Sequence, residues 1–345
     1  VNVFFGYFRD LARAACEAWN RFWFSAADPA TLGLVRILAG LMLFYTHCVW
    51  GLELQAFFGA DAWVSPAAAA SLLRGDSAWS YLWLVQSPWL LWTLHLVALA
   101  VFAMMAVGFC SRVATVLAFF IAVAYANRVP GALFGLDQIN SLLAMYVMLG
   151  PCGAAYSVDR WLAARRAGKP LAPALPSVSA NLALRLIQVH MCIIYFFAGL
   201  SKMQGVTWWD GSALWGAFAN LEYQSIDMTW VAKWPLLVAA ATQITVWWEL
   251  SFAVIIWPRI LRPLVLMVAI PLHLGIGICL GMMTFGLVML IGCTAFVPPE
   301  WVRSLLDRKS GQGRAGEAAE RRAEQSGDAP RRRPAAERPA AGQRR

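Results

Sequence analysis

Residues 247–290 read WWELSFAVIIWPRILRPLVLMVAIPLHLGIGICLGMMTFGLVML. Two apolar runs flank a short basic break around Pro258, Arg259, Arg262 and Pro263, and a third follows Gly281. An α-helix rises about 1.5 Å per residue, so roughly 20 apolar residues cross the hydrocarbon core of a bilayer. Working outward, runs of this kind lie at 31–50, 88–109, 113–127, 138–151, 182–201, 236–257, 263–282 and 284–298. The pattern predicts an all-α fold, a polytopic membrane helix bundle of about eight transmembrane helices. The third, fourth and eighth runs are short, so they are expected to be tilted or to end in polar residues buried by protein.

Composition excludes a soluble domain. The 345 residues are 60% hydrophobic and 14% charged, with 18 Trp, and the mean hydropathy is +0.58. A net charge of +9 would suit nucleic acid, but much of it lies in a tail at 307–345 and in short loops beside apolar runs. It is read as orientation and attraction to anionic headgroups, so the expected partner is the lipid bilayer, with no specific nucleic acid. The seven cysteines, Cys16 to Cys293, are scattered without a CxxC, which implies neither a zinc site nor a disulfide framework. The first apolar run lacks a small-residue cleavage site, so no cleaved signal peptide is expected.

In front of the runs, residues 4–23 read FFGYFRDLARAACEAWNRFW. At helical spacing Phe4, Phe8, Leu11, Ala15, Trp19 and Phe22 share one face, and Arg9, Asp10, Arg13, Glu17 and Asn20 share the other. This predicts an amphipathic helix lying in the membrane interface; the alternative is a surface helix docked on protein. After Trp301 the composition turns to Arg, Ala, Glu, Gly and Pro with no aromatic residue, and such a segment cannot bury enough apolar surface to fold. The expected organisation is an interfacial helix at 1–27, a transmembrane domain at 28–302 and a disordered basic tail at 303–345.

Lys and Arg favour cytoplasmic loops. With eight spans and the amino end inside, the inner side receives Arg9, Arg13, Arg21, Arg112, Arg160, Arg165, Arg166, Lys169, Arg259, Arg262 and the tail. The outer side receives Arg74, Arg128, Lys202 and Lys233 among many acidic residues. Both termini are therefore expected to be cytoplasmic.

Polar groups in hydrocarbon cost several kcal/mol unless paired or solvated, so each one needs a reason. Arg36 and Arg185 lie near inner span ends, where snorkelling to the headgroups is expected. Lys202 closes the fifth run, with Gln188 on roughly the same face. It reads either as an interfacial anchor or as a general base whose burial favours the neutral amine. Glu249 forms a stripe with Thr242 and Thr245, and reads as a bond to a neighbouring helix or as part of a site. His273 sits mid-span after Pro271, as an interhelical donor or a ligand. With four His and no HxxxH pairing, no metal site is expected.

The order of these residues carries a resemblance. YFFAGLSKMQGVTWWDG at 195–211, then residues 247–290, then FVPPEW at 296–301 look like the membrane domain of the vitamin K-dependent gamma-carboxylase family. DPATLGLVRILAGLMLF at 28–44 resembles its opening helix, and INSLLAMYVMLGPCGAAYSVDRW at 139–161 its middle one. The bacterial branch of this superfamily is the HTTM (horizontally transferred transmembrane) domain, which implies a bacterial cytoplasmic, or inner, membrane. The resemblance covers about residues 25–302. It implies that Lys202 stands in the place of the base that deprotonates vitamin K hydroquinone, with Glu249, His273 and Asn140 as supporting polar residues and a quinone-like lipid as the cofactor class. Ser201 stands where the carboxylase has a second lysine, and Asn140 where it has a histidine. After the closing PPEW a polar tail replaces the carboxylase's large substrate-engaging region, so carboxylation of a protein substrate is not expected. Three readings stay open: an enzyme acting on a quinol or another lipid-soluble small molecule, a non-catalytic scaffold or lipid-binding protein, and a transporter.

The charge distribution makes a direct prediction. A cysteine placed in the loop 203–234 is expected to react with an impermeant thiol reagent in intact cells, and labelling only after permeabilisation reverses the orientation.

Overall fold

Capping residues and prolines set where the helices begin. Pro88 and Pro235 open long helices at positions where a missing N–H costs nothing, and Ser177 and Ser157 accept from the N–H groups of Ala180 and Arg160 at two other starts. The computed structural model describes residues 2–75 and 77–309, and among them there is no β-strand. The helices are α1 (Asn2–Phe24), α2 (Ala30–Gly51), α3 (Leu54–Phe58), α4 (Pro66–Leu72), α5 (Pro88–Val107), α6 (Ser111–Arg128), α7 (Gly135–Leu149) and α8 (Val158–Arg166). They continue as α9 (Val178–Lys202), α10 (Val206–Trp209), α11 (Ala213–Ala219), α12 (Pro235–Ile255), α13 (Arg262–Cys279), α14 (Met283–Cys293) and α15 (Pro299–Lys309).

Each of the eight apolar runs is a helix. Among the described residues, five single helices are long and apolar enough to cross a membrane: α2, α5, α9, α12 and α13. Helices α7 and α14, of 15 and 11 residues, are too short by that measure. Helix α6 has the length but begins and ends in polar and charged residues.

The chain divides into two units, Val1–Pro299 and Glu300–Arg345. In the first, the most extensive helix pairs are α9 with α12, α2 with α5, and α13 with α14. A side chain at Gly286 on α14 would collide with the carbonyl of His273 on α13, so the glycine permits that close crossing. Helix α1 is separate from α2, broken at 25–29, and packs on α9. Most of its aromatic residues, including Phe4, Phe8 and Trp19, are exposed. The second unit departs from expectation. Residues 303–309, read as the start of a disordered tail, belong to α15, because Val302, Leu305 and Leu306 recur at helical spacing. The remainder of that expected tail, 310–345, lies outside the described residues.

The arginines also differ from their sequence reading. Arg36 is fully buried and does not snorkel. It donates to the carbonyls of Cys152, at 3.0 Å, and of Tyr156, pinning α2 to the turn before α8. Gly108 closes α5 at φ +72°, and a side chain there would meet Arg36 and Ser157. Beside them, Asp159 accepts from the N–H groups of Cys110 and Ser111 at 2.8 and 2.7 Å and from the Ser111 hydroxyl at 2.7 Å. Burial pushes its carboxyl up, but these hydrogen bonds and the Arg36 charge outweigh it, so the group sits below the ordinary carboxylate range. Arg128, also fully buried, holds the carbonyls of Gly59 and Val64 at 2.8 and 2.9 Å. Arg185 bonds the Phe22 carbonyl at 3.3 Å and lies 4.4 Å from its ring, so it fastens the end of α1.

Replacing Arg36 by Met removes donors from two buried carbonyls while keeping the apolar stem. The expected loss is on the order of 2–4 kcal/mol, read as a lower melting temperature of the detergent-purified protein; an unchanged melt would show that the clamp contributes nothing.

Candidate functional site

The pairing of α9 with α12 brings together two of the sequence's candidate residues. Lys202 is the last residue of α9, and Glu249 lies on α12. The Lys202 Nζ is 3.0 Å from Glu249 Oε1 and 2.7 Å from Oε2. The second contact is an ion pair without hydrogen-bond geometry, so Oε1 takes the directed bond. The lysine side chain is 23% exposed and the glutamate 8%, which leaves one side of the pair open. On another side, the Trp208 ring lies 5.3 Å from Nζ, within range of a cation–π attraction.

The segment after α9 is tied down over α12. Gln243 donates to the Trp208 carbonyl at 2.7 Å, and Thr242 donates to that of Gly211 at 3.1 Å and accepts from the Leu214 N–H at 3.3 Å. The polar stripe of α12 therefore has two uses. Thr242 holds the segment that carries Trp208, and Glu249 holds Lys202. Thr245 bonds only its own helix, at the Ala241 carbonyl.

Seven residues before Lys202 on α9, two turns or ~10 Å along the axis, Tyr195 carries the contact to His273. Its hydroxyl is 2.6 Å from His273 Nε2 and 3.3 Å from Cys293 Sγ, which joins α9, α13 and α14. Its ring packs against Phe252, Trp248 and His273, with centroids 4.3, 5.0 and 5.8 Å away. The other His273 nitrogen, Nδ1, is buried and has no partner among the described residues.

A family model for the HTTM domain matches residues 24–301. The chain belongs to the HTTM domain family. No curated protein and no solved structure matches it. The matched segment contains all four candidate residues, Asn140, Lys202, Glu249 and His273, and ends on Trp301, the last residue of the PPEW motif.

Within this HTTM domain the four residues do not form one cluster. Lys202 and Glu249 are in direct contact, and His273 connects to the same helix through Tyr195. Asn140, on α7, instead lines a small cavity with His47, Trp50 and Asp137. Among the described residues no hydrogen bond or ion pair joins Asn140 to the other three. Gln188, expected on the Lys202 face, accepts from Arg185 at 2.9 Å and donates to the Ala295 carbonyl at 2.7 Å. No group of three or more His, Cys, Asp or Glu gathers as a metal site among the described residues. An apolar recess of about 500 Å³ opens between α2 and α14, past Tyr45 and Leu287, and includes none of the four.

Sequence reading missed Tyr195, although its i, i+7 relation to Lys202 was available as a signal. It also passed over His47 and the His95–Tyr125 pair, whose Nδ1 and hydroxyl oxygen are 2.9 Å apart. Only the fold brings those residues together, from α2, α5 and α6.

Removing one member of a buried ion pair strands the other charge. Glu249→Gln is expected to lower stability by about 1–3 kcal/mol, less than for a fully buried pair because Lys202 keeps a path to water. Adding Lys202→Met should recover part of that loss in thermal melts of the purified protein; equal melts for the native chain and Glu249→Gln would show that the pair does not hold α9 to α12.

Proposed function

We propose that this HTTM protein is an enzyme of the membrane that takes a proton from a lipid-soluble hydroxyl compound of the quinol class, with Lys202 as the base. The supporting observation is the contact of Lys202 with Glu249, at 2.7–3.0 Å, on the partly open side of the α9–α12 seam. A lysine that acts as a base must first give up a proton. Glu249 is the group in place to receive it. As the Lys202 proton moves to the carboxylate, the substrate's hydroxyl proton moves to Nζ, and the substrate anion is left beside a new ammonium. Tyr195 orients His273 in the same reading, and Asn140 acts from its separate position on α7.

The same proposal sets the protein in a bacterial cytoplasmic membrane with both termini inside. All eight apolar helices take part in crossing, the short α7 and α14 as partners buried by their neighbours, and α1 lies along the surface. A second reading rests on the same pair: because α9 and α12 form the most extensive helix pair, their ion pair also suits a scaffold or lipid-binding protein without chemistry.

Lys202→Arg separates the two. Arginine keeps the charge, the long stem and a partner for Glu249, but it does not lose its proton near neutral pH. The expected outcome is a monodisperse protein in detergent whose turnover of copurified quinone or lipid falls roughly 100-fold or more. Full turnover in the arginine variant would falsify the catalytic role and leave the pair as a structural fastening.

A further inference from the structure

Away from Lys202, a second group of polar side chains lies inside the bundle. His47 on α2 and Asn140 on α7 are 4% and 3% exposed. His47 Nδ1 is 2.8 Å from the Leu43 carbonyl. A carbonyl only accepts, so Nδ1 carries the hydrogen, and in the neutral ring Nε2 is left with a lone pair. A charged ring in this place would be costly, since Phe102, Tyr125 and Trp50 surround it at centroid distances of 4.4, 4.8 and 5.3 Å. Those same rings limit any rotation in search of another partner.

His47 Nε2 and Asn140 Oδ1 are both buried, and neither has a partner among the described residues. Both residues line one cavity of about 10 Å³, whose other walls include Thr46, Trp50, Asp137 and Ser141. Two acceptors cannot satisfy each other, and a buried acceptor is costly to leave unpaired. The Thr46 hydroxyl does not help, because it donates within its own helix to the Met42 and Leu43 carbonyls at 3.0 Å. One molecule with two hydrogens to donate would satisfy both acceptors. A cavity needs on the order of 10–15 Å³ to hold one water, so this one has room for a single molecule.

We propose that the cavity between α2 and α7 is a binding site for one water, which donates one hydrogen to His47 Nε2 and the other to Asn140 Oδ1. Ser141 also lines the cavity. The site shares Asn140 with the Lys202 reading but no residue with the Lys202–Glu249 pair, and its test does not require turnover.

The test uses the full chain, labelled with ¹⁵N-histidine and held in lipid nanodiscs, with His47→Phe to assign the His47 signals. Native protein is expected to show magnetisation transfer from water to His47 Nε2. Asn140→Leu, which fills the cavity with carbon, should abolish that transfer and move the Nε2 resonance to its unbonded position while leaving the His190 signals in place. Absence of the transfer in the native chain overturns the proposal. Should Asn140→Leu fail to fold, an experimental density map of the native chain decides. An isolated peak about 2.7–3.2 Å from both acceptors supports the water. An empty cavity, or an Asn140 amide turned so that its nitrogen bonds His47 directly, refutes it.

Discussion

Hydrocarbon offers no hydrogen bonds, and that constraint decides where every polar atom of this chain can go. The buried charged side chains have partners: carbonyls for Arg36 and Arg128, Lys202 for Glu249, and the Phe134 N–H for Asp137. The partners are mostly carbonyls at turns, where helix geometry leaves acceptors unused. A buried arginine therefore does two jobs at once. Its terminal nitrogens are satisfied by the carbonyls of a neighbouring segment, which they hold in place, while the Nε of each has no partner among the described residues. Arg128 does this for residues 59–64, and Arg36 for residues 152–156.

The same constraint explains which parts of the fold were legible. Long apolar runs have one stable form in a bilayer, so α2, α5, α9, α12 and α13 could be read within a few residues of their ends. Helices α7 and α14 could be read as helices, but their length does not say how they meet the membrane. Arg36 was misread because sequence shows distance from a span end, not what lies beside it; the carbonyls that hold it come from more than a hundred residues away. The start of the tail was misplaced for a different reason. Its overall composition is polar, and the short stripe of Val302, Leu305 and Leu306 was averaged away.

For the candidate site, residue types were legible and adjacency was not. Lys202 and Glu249 are 47 positions apart, yet they meet because α9 and α12 pack along their length. Asn140 was grouped with them by resemblance, and the fold sets it beside His47 instead. The result is two polar centres with different character. One is charged, partly open and covered by a tied-down segment. The other is small, buried in the bundle, and holds two acceptors without partners among the described residues.

The crossing of α13 and α14 carries one more consequence. Pro271 has no N–H, so the Met267 carbonyl loses its helical partner one turn before His273, and the helix is softest there. Beyond that point Gly286 sits so close to the His273 carbonyl that no side chain fits between the two helices. The part of α13 after Pro271 and the start of α14 are thus held together by that close crossing, and both helices are tied to α9 through the Tyr195 hydroxyl.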